Sequence, residues 1–157
     1  MQWDWHNRTL RLSVGELARF SLFAGGEEGR GTWRAELGTH WHRVLRERAE
    51  AEGTGWCFER GISGTLQQEG WHFTLEGRID QLKQGPDPVL REVKTISRQL
   101  PASEDDLREA YPQHFRQAML YGFLMARQDQ FPQTELVFLE IATGLTQTVT
   151  LGDDDLM

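Results

Sequence analysis

Two alternating runs and the bend between them constrain this chain more than any other feature. Leu75-Glu76-Gly77-Arg78-Ile79-Asp80-Gln81-Leu82 alternates as a strand does, and a second strand-like run extends from Val89 to Ile96. Gly85-Pro86-Asp87-Pro88 lies between them and carries the turn residues that fold the second run back on the first. The fold-back brings Asp80 next to Glu92, twelve positions on (92 − 80). Glu92 and Lys94 are two apart, so on a strand they share a face, while Val93 points into the sheet. Two carboxylates and an ammonium on one sheet face form a divalent-metal site with a charge stabiliser beside it. That is the minimum equipment for metal-assisted phosphodiester hydrolysis.

The remaining pattern surrounds this hairpin with helices. Ser13-Val14-Gly15-Glu16 is a capping box, with Leu12 and Leu17 placed for a hydrophobic staple. A helix from Val14 to Phe23 is predicted, with Leu17, Phe20 and Phe23 on its buried stripe. Trp33, Leu37, Trp41, Val44, Leu45 and Arg48 recur at helical spacing up to Glu52, and Gly53-Thr54-Gly55 ends the helix. Strands are predicted over Trp56 to Leu66, Trp71 to Lys83 and Val89 to Ile96, with Gln67 to Gly70 turning the first pair. Ser103 caps a helical stretch, and Pro112 starts a long helix that reaches Arg127. Leu136 to Ile141 and Thr146 to Leu151 close the pattern. The order α-α-β-β-β-α-β-β implies a meander of three strands, then a helical crossover to a fourth strand. This is an α/β fold, a central mixed sheet flanked by helices on both faces. Residues 1–152 form one domain, and 153–157 read as an acidic tail or a cut domain boundary.

A chain of 157 residues with 38% hydrophobic and 26% charged residues fits one globular domain. No apolar run approaches a membrane span, the start lacks a signal-peptide layout, and Cys57 is the only cysteine. A cytoplasmic, reducing location with no membrane association is the expectation. The net charge of −7 opposes general polyanion binding. Part of it, however, resides on the proposed metal ligands, where a bound cation neutralises it.

Four motifs occur in order along the chain. Gly38-Thr39-His40-Trp41-His42-Arg43-Val44-Leu45 reads G-T-x-x-H-x-x-L on a helix. Gly77-Arg78-Ile79-Asp80 reads G-x-x-D on a strand, and Glu92-Val93-Lys94 reads E-x-K on the next. Gln117-Ala118-Met119-Leu120-Tyr121 reads Q-x-x-x-Y on the helix that follows. Singly each is commonplace; together they resemble the PD-(D/E)XK nucleases of restriction-endonuclease-like fold, and within them the RecB-like branch.

The resemblance implies a metal-dependent deoxyribonuclease. Asp80 and Glu92 are hard oxygen ligands suited to Mg²⁺ or Mn²⁺, with the Val93 carbonyl and His42 completing the set; an imidazole ligand suits Mn²⁺ better. Lys94 orients the attacking water or offsets transition-state charge. Gln117 and Tyr121, four apart on one helix face, hold the lysine and a DNA phosphate, so both count as catalytic and as substrate-binding. His114 and Arg116, on the same helix, are candidate substrate contacts. Relatives with the Q-x-x-x-Y helix are often exonucleases acting from DNA ends in repair or recombination, many joined to a helicase. DNA is therefore the expected partner, with a helicase or other repair protein as a second. Some relatives carry an iron–sulfur cluster on four cysteines; one cysteine cannot hold it, so none is expected.

Competing readings are a structure-selective endonuclease of the same fold, a catalytically inactive DNA-binding or scaffold module, and an unrelated α/β protein. His40 points to a different helix face from His42 and is not a ligand. Glu59 is read as a solvated strand position, Cys57 as a small buried residue. Trp33, Trp41 and Trp71 are read as core, and Trp3 and Trp5 as packed on the sheet.

Overall fold

The computed structural model describes residues 1–20, 32–152 and 155. The elements are β1 (Gln2–Asp4), β2 (Thr9–Ser13), α1 (Val14–Arg19), α2 (Thr32–Glu52), β3 (Trp56–Gln68), β4 (Trp71–Lys83), β5 (Val89–Ile96), α3 (Glu104–Ala110), α4 (Pro112–Ala126), β6 (Gln133–Glu140) and β7 (Thr146–Leu151).

The expected elements form, with two additions. The hairpin β1–β2 escaped the sequence reading because strands of three and five residues carry too little alternation to register. α1 stops at Arg19, and Phe20, expected on the buried stripe, is 64% exposed. Phe23 lies outside the described residues. The capping box is present: Ser13 Oγ accepts from the Glu16 N–H at 3.0 Å, and Glu16 accepts from the Ser13 N–H at 2.8 Å. Ser103 caps α3, and Pro112 opens α4, where its missing N–H costs no helical bond. Trp3 belongs to edge strand β1, and Trp5 packs edge-on against Trp71 of β4. Trp3 and Trp5 are exposed and form a ring cluster with half-buried Trp71.

The seven strands among the described residues form one mixed sheet. β3, β4 and β5 form the antiparallel meander. The α3–α4 crossover sets β6 parallel to β5, and β7 returns antiparallel. The long strand β4 organises the rest. β3 pairs one of its edges from Trp56↔Lys83 to Gln68↔Trp71, with only the Glu59/Asp80 rung left unpaired. The other edge is shared: β2 takes residues 72–76 in parallel, and β5 takes residues 81–83. Between them the edge of residues 77–80 faces no strand, and the sheet opens into a fork.

Helices cover both faces. α4 lays Tyr121, Leu124 and Met125 on Leu75, Ile79, Leu82 and Leu90, and lays Phe115 and Ala118 on Leu136, Phe138 and Val149. α2 covers the opposite face, where Trp41 and Leu45 meet Val93, Val137 and Leu139. Val137 and Phe138 are consecutive and serve opposite clusters, as a pleated strand buried on both sides requires.

Candidate functional site

The fork between β4 and β5 is closed by side chains in place of a backbone ladder. Buried backbone groups need partners, and the motif residues supply them. Asp80 Oδ2 accepts from the Val93 N–H at 2.8 Å, and Glu92 Oε2 lies 3.5 Å from the Asp80 nitrogen. Tyr121 places its hydroxyl on Arg78, accepting from that N–H at 3.2 Å and donating to the carbonyl at 3.1 Å. Gly77 makes room for the ring: a Cβ there would lie 2.5 Å from Tyr121 Cε1.

Glu92 and Lys94 share the α4 face of β5, as their spacing requires. Glu92 is 2% exposed. Its Oε1 takes the Lys94 ammonium at 3.0 Å and the Gln117 amide at 3.1 Å. Burial drives the Glu92 carboxyl above the usual carboxylate range, the negative charge of Asp80 drives it further, and Lys94 opposes both.

Asp80 opens the other way. It lines a cavity of about 410 Å³ on the α2 side with Gly38, Thr39, His42, Arg46, Phe58, Glu59, Arg78, Gln81 and Thr95. The single-face arrangement expected from the hairpin is thus corrected. Asp80 meets Glu92 across the fork, but Asp80 stands toward α2 while Glu92 and Lys94 stand toward α4. Val93 presents its N–H to Asp80 and its side chain to Leu45 and Leu139.

His42 shares the cavity wall with Asp80. Among the described residues no three His, Cys, Asp or Glu side chains gather closely enough to enclose an ion. The donor set at the fork is two carboxylates, which fits an oxygen-seeking cation that keeps several waters, as Mg²⁺ does.

The substrate contacts expected on α4 fall elsewhere. Tyr121 is 3% exposed, with its hydroxyl engaged on Arg78 and 3.5 Å from the Gln117 amide. Arg116 donates through Nε to the Ala18 carbonyl at 2.8 Å and ties α4 to α1. His114 stacks on Tyr111 and leans on Phe138; burial, then the charges of Lys94 and Arg19, lowers its pKa to about 4. It is a neutral ring at the edge of the core.

The family profile of the PD-(D/E)XK nuclease superfamily matches residues 9–154. The chain belongs to that superfamily. This PD-(D/E)XK protein therefore sits among nucleases, hydrolases of phosphodiester bonds, and its mixed sheet between helices is the restriction-endonuclease-like fold. The crystal structure of SSO0001 superimposes with a TM-score of 0.57 over 93% of this chain and 70% of that one, at 14% identity. That likeness concerns the fold alone. A Eubacterium rectale protein named provisionally as an exonuclease superimposes with a TM-score of 0.46, at 14% identity, over 73% of this chain and 43% of that one. Against curated proteins the sequence finds no match. No helix among the described residues is long and apolar enough to cross a membrane.

Sequence reasoning missed the cavity wall of this PD-(D/E)XK protein. Arg78 sits two before Asp80, and Arg46 sits four after His42, one helical turn along the same face. Both spacings were legible. Glu59 is exposed on β3, as expected for a solvated strand position, and also borders the mouth of this cavity. No alternation rule placed it there.

Proposed function

We propose that this chain is a divalent-metal-dependent deoxyribonuclease of the RecB-like branch that acts from DNA ends, as one module of a repair or recombination assembly containing a helicase. One observation carries the reading: a pair of carboxylates, one of them buried, meets at a fork beside a cavity lined by two arginines.

Asp80 and Glu92 would hold Mg²⁺ or Mn²⁺, with the Val93 carbonyl and His42 as further ligands. A cation bound there lowers the pKa of a water and polarises a phosphate. The protein's own groups do the rest. Gln117 fixes the Glu92 carboxylate through its amide. Lys94, 3.0 Å from the same oxygen, holds a proton and a charge next to the place where negative charge builds up during attack. Arg78 and Arg46 line the cavity, and guanidinium groups suit a phosphodiester backbone.

The test is digestion of end-labelled single- and double-stranded DNA, and of closed circles, by wild type and Asp80→Ala with Mn²⁺. Release of labelled ends from linear DNA alone, abolished in Asp80→Ala, supports the reading. Cleavage of closed circles replaces it with an endonuclease. No digestion of either, with DNA still bound, replaces it with a binding module.

A further inference from the structure

β3 and β4 pair without a slip from Trp56↔Lys83 to Gln68↔Trp71, except that Glu59 and Asp80 do not pair. Phe58↔Gln81 and Arg60↔Ile79 flank the gap in unchanged register, so no residue is inserted and this is not a bulge. The faces nevertheless change. On β4, Leu75 and Ile79 pack in the core beneath α4, and so does Leu82, an odd number of positions on. On β3, Ile62 and Leu66 pack in that core, and so does Cys57, again at odd spacing. Consecutive residues Phe58–Glu59 and Asp80–Gln81 all line the cavity, which an unbroken pleat forbids. Both strands therefore skip one step of the pleat at the same rung.

The cause is visible at Glu59, whose φ is +51°. The other described non-glycine residues with positive φ, Arg8, Glu69 and Asp129, lie in turns; Glu59 lies inside a strand of thirteen residues. A left-handed residue within a strand is strained and persists only where its surroundings hold it. Arg46 packs against this rung with its side chain 43% exposed. Its guanidinium lies 4.7 Å over the Phe58 ring, and Nη2 lies 3.7 Å from the Glu59 carboxylate. Arg46 is one turn beyond His42 on α2, so this face of the helix lies over the skipped rung.

We propose that Glu59 is a positioning residue: its left-handed backbone makes the skip at the Glu59/Asp80 rung, so that Asp80 keeps the phase of Leu75 and Ile79 and faces the α2 cavity instead of sharing the face of Leu82, Leu90 and Glu92. The inference rests on the reading of Asp80 as a metal ligand. What matters at position 59 is backbone conformation, so tolerance should follow φ. Glycine and asparagine adopt positive φ readily, whereas valine and threonine, branched at Cβ, resist it.

The experiment measures Mn²⁺ affinity by calorimetry without DNA, together with thermal unfolding of the metal-free protein, for wild type, Glu59→Gly, Glu59→Asn, Glu59→Val and Asp80→Ala. Glu59→Gly and Glu59→Asn keep wild-type Mn²⁺ affinity, and the glycine variant melts no lower than wild type. Glu59→Val folds but binds Mn²⁺ roughly 10- to 100-fold more weakly, the usual loss when a ligand's support is removed. Glu59→Thr, the milder branched change, replaces it where the valine variant does not fold. Equal affinity in the branched variants and wild type overturns the inference. So does a loss in Glu59→Gly as large as in Asp80→Ala, which would assign the effect to the carboxylate. A wild-type protein that binds no Mn²⁺ removes the metal reading, and the inference with it.

Discussion

Gly77→Ala tests whether the first glycine of the Gly77-Arg78-Ile79-Asp80 motif is there for Tyr121. A Cβ at this position would stand 2.5 Å from Tyr121 Cε1, 2.9 Å from its hydroxyl and 3.1 Å from Cζ. Tyr121 cannot retreat freely, since it is 3% exposed and its hydroxyl bridges both backbone groups of Arg78. Forcing a methyl into a packed site costs about 1–3 kcal/mol. Against that, replacing glycine by alanine restricts the unfolded chain and returns about 0.4–1 kcal/mol. The net expectation is a destabilisation of roughly 1–2 kcal/mol, read as a lower urea midpoint at unchanged slope. Gly61, on β3, is the control, because a Cβ there meets nothing within 4 Å; Gly61→Ala should shift the midpoint little in either direction. The decisive measurement is the double-mutant cycle. In a Tyr121→Ala background the ring is gone, so Gly77→Ala should cost nothing, which gives a coupling of about 1–3 kcal/mol. If Gly77→Ala unfolds at the wild-type midpoint, or costs as much without the Tyr121 ring as with it, the glycine is not making room for the tyrosine.

Three further outcomes follow from the geometry. Lys94→Ala should lower cleavage by roughly 10²–10³ while calorimetry finds Mn²⁺ binding intact, because a protonated amine stabilises charge and offers the ion no lone pair. Arg78→Ala should weaken DNA binding and reduce the slope of log affinity against log salt by about one, the signature of one lost phosphate contact. His114 has a folded pKa of about 4, below its unfolded value, so the unfolded chain binds the proton first. Stability contributed by the neutral ring is therefore intact above about pH 6.5 and lost as pH falls toward 4, a change of order 2–3 kcal/mol. His114→Leu should flatten that part of a denaturation-versus-pH profile relative to wild type.

The sequence by itself determined most of the element map and the identity of the reactive residues. Periodicity located α2, β3, β4, β5 and α4, because each is long enough to repeat its pattern several times. The capping box at Ser13 and the proline at 112 marked helix starts through local hydrogen bonding alone. The spacing of Glu92 and Lys94 guaranteed a shared face, and the structure keeps it. What only the tertiary structure decided depends on contacts far apart in sequence. β2 acquires its identity by lying parallel to residues 72–76 of β4, about sixty positions on, and five residues of alternation do not announce that. Arg116 and Tyr121 sit on the helix the motif predicts, yet α1 takes the arginine and the open edge of β4 takes the tyrosine. The face of Asp80 was decided least locally of all. Alternation counted from Ile79 points it toward α2, alternation counted back from Leu82 and Glu92 points it toward α4, and the skip at the rung of left-handed Glu59 decides between them. Period-two reasoning assumes ordinary backbone dihedrals at every residue, and Glu59 breaks that assumption opposite Asp80, where the site depends on it.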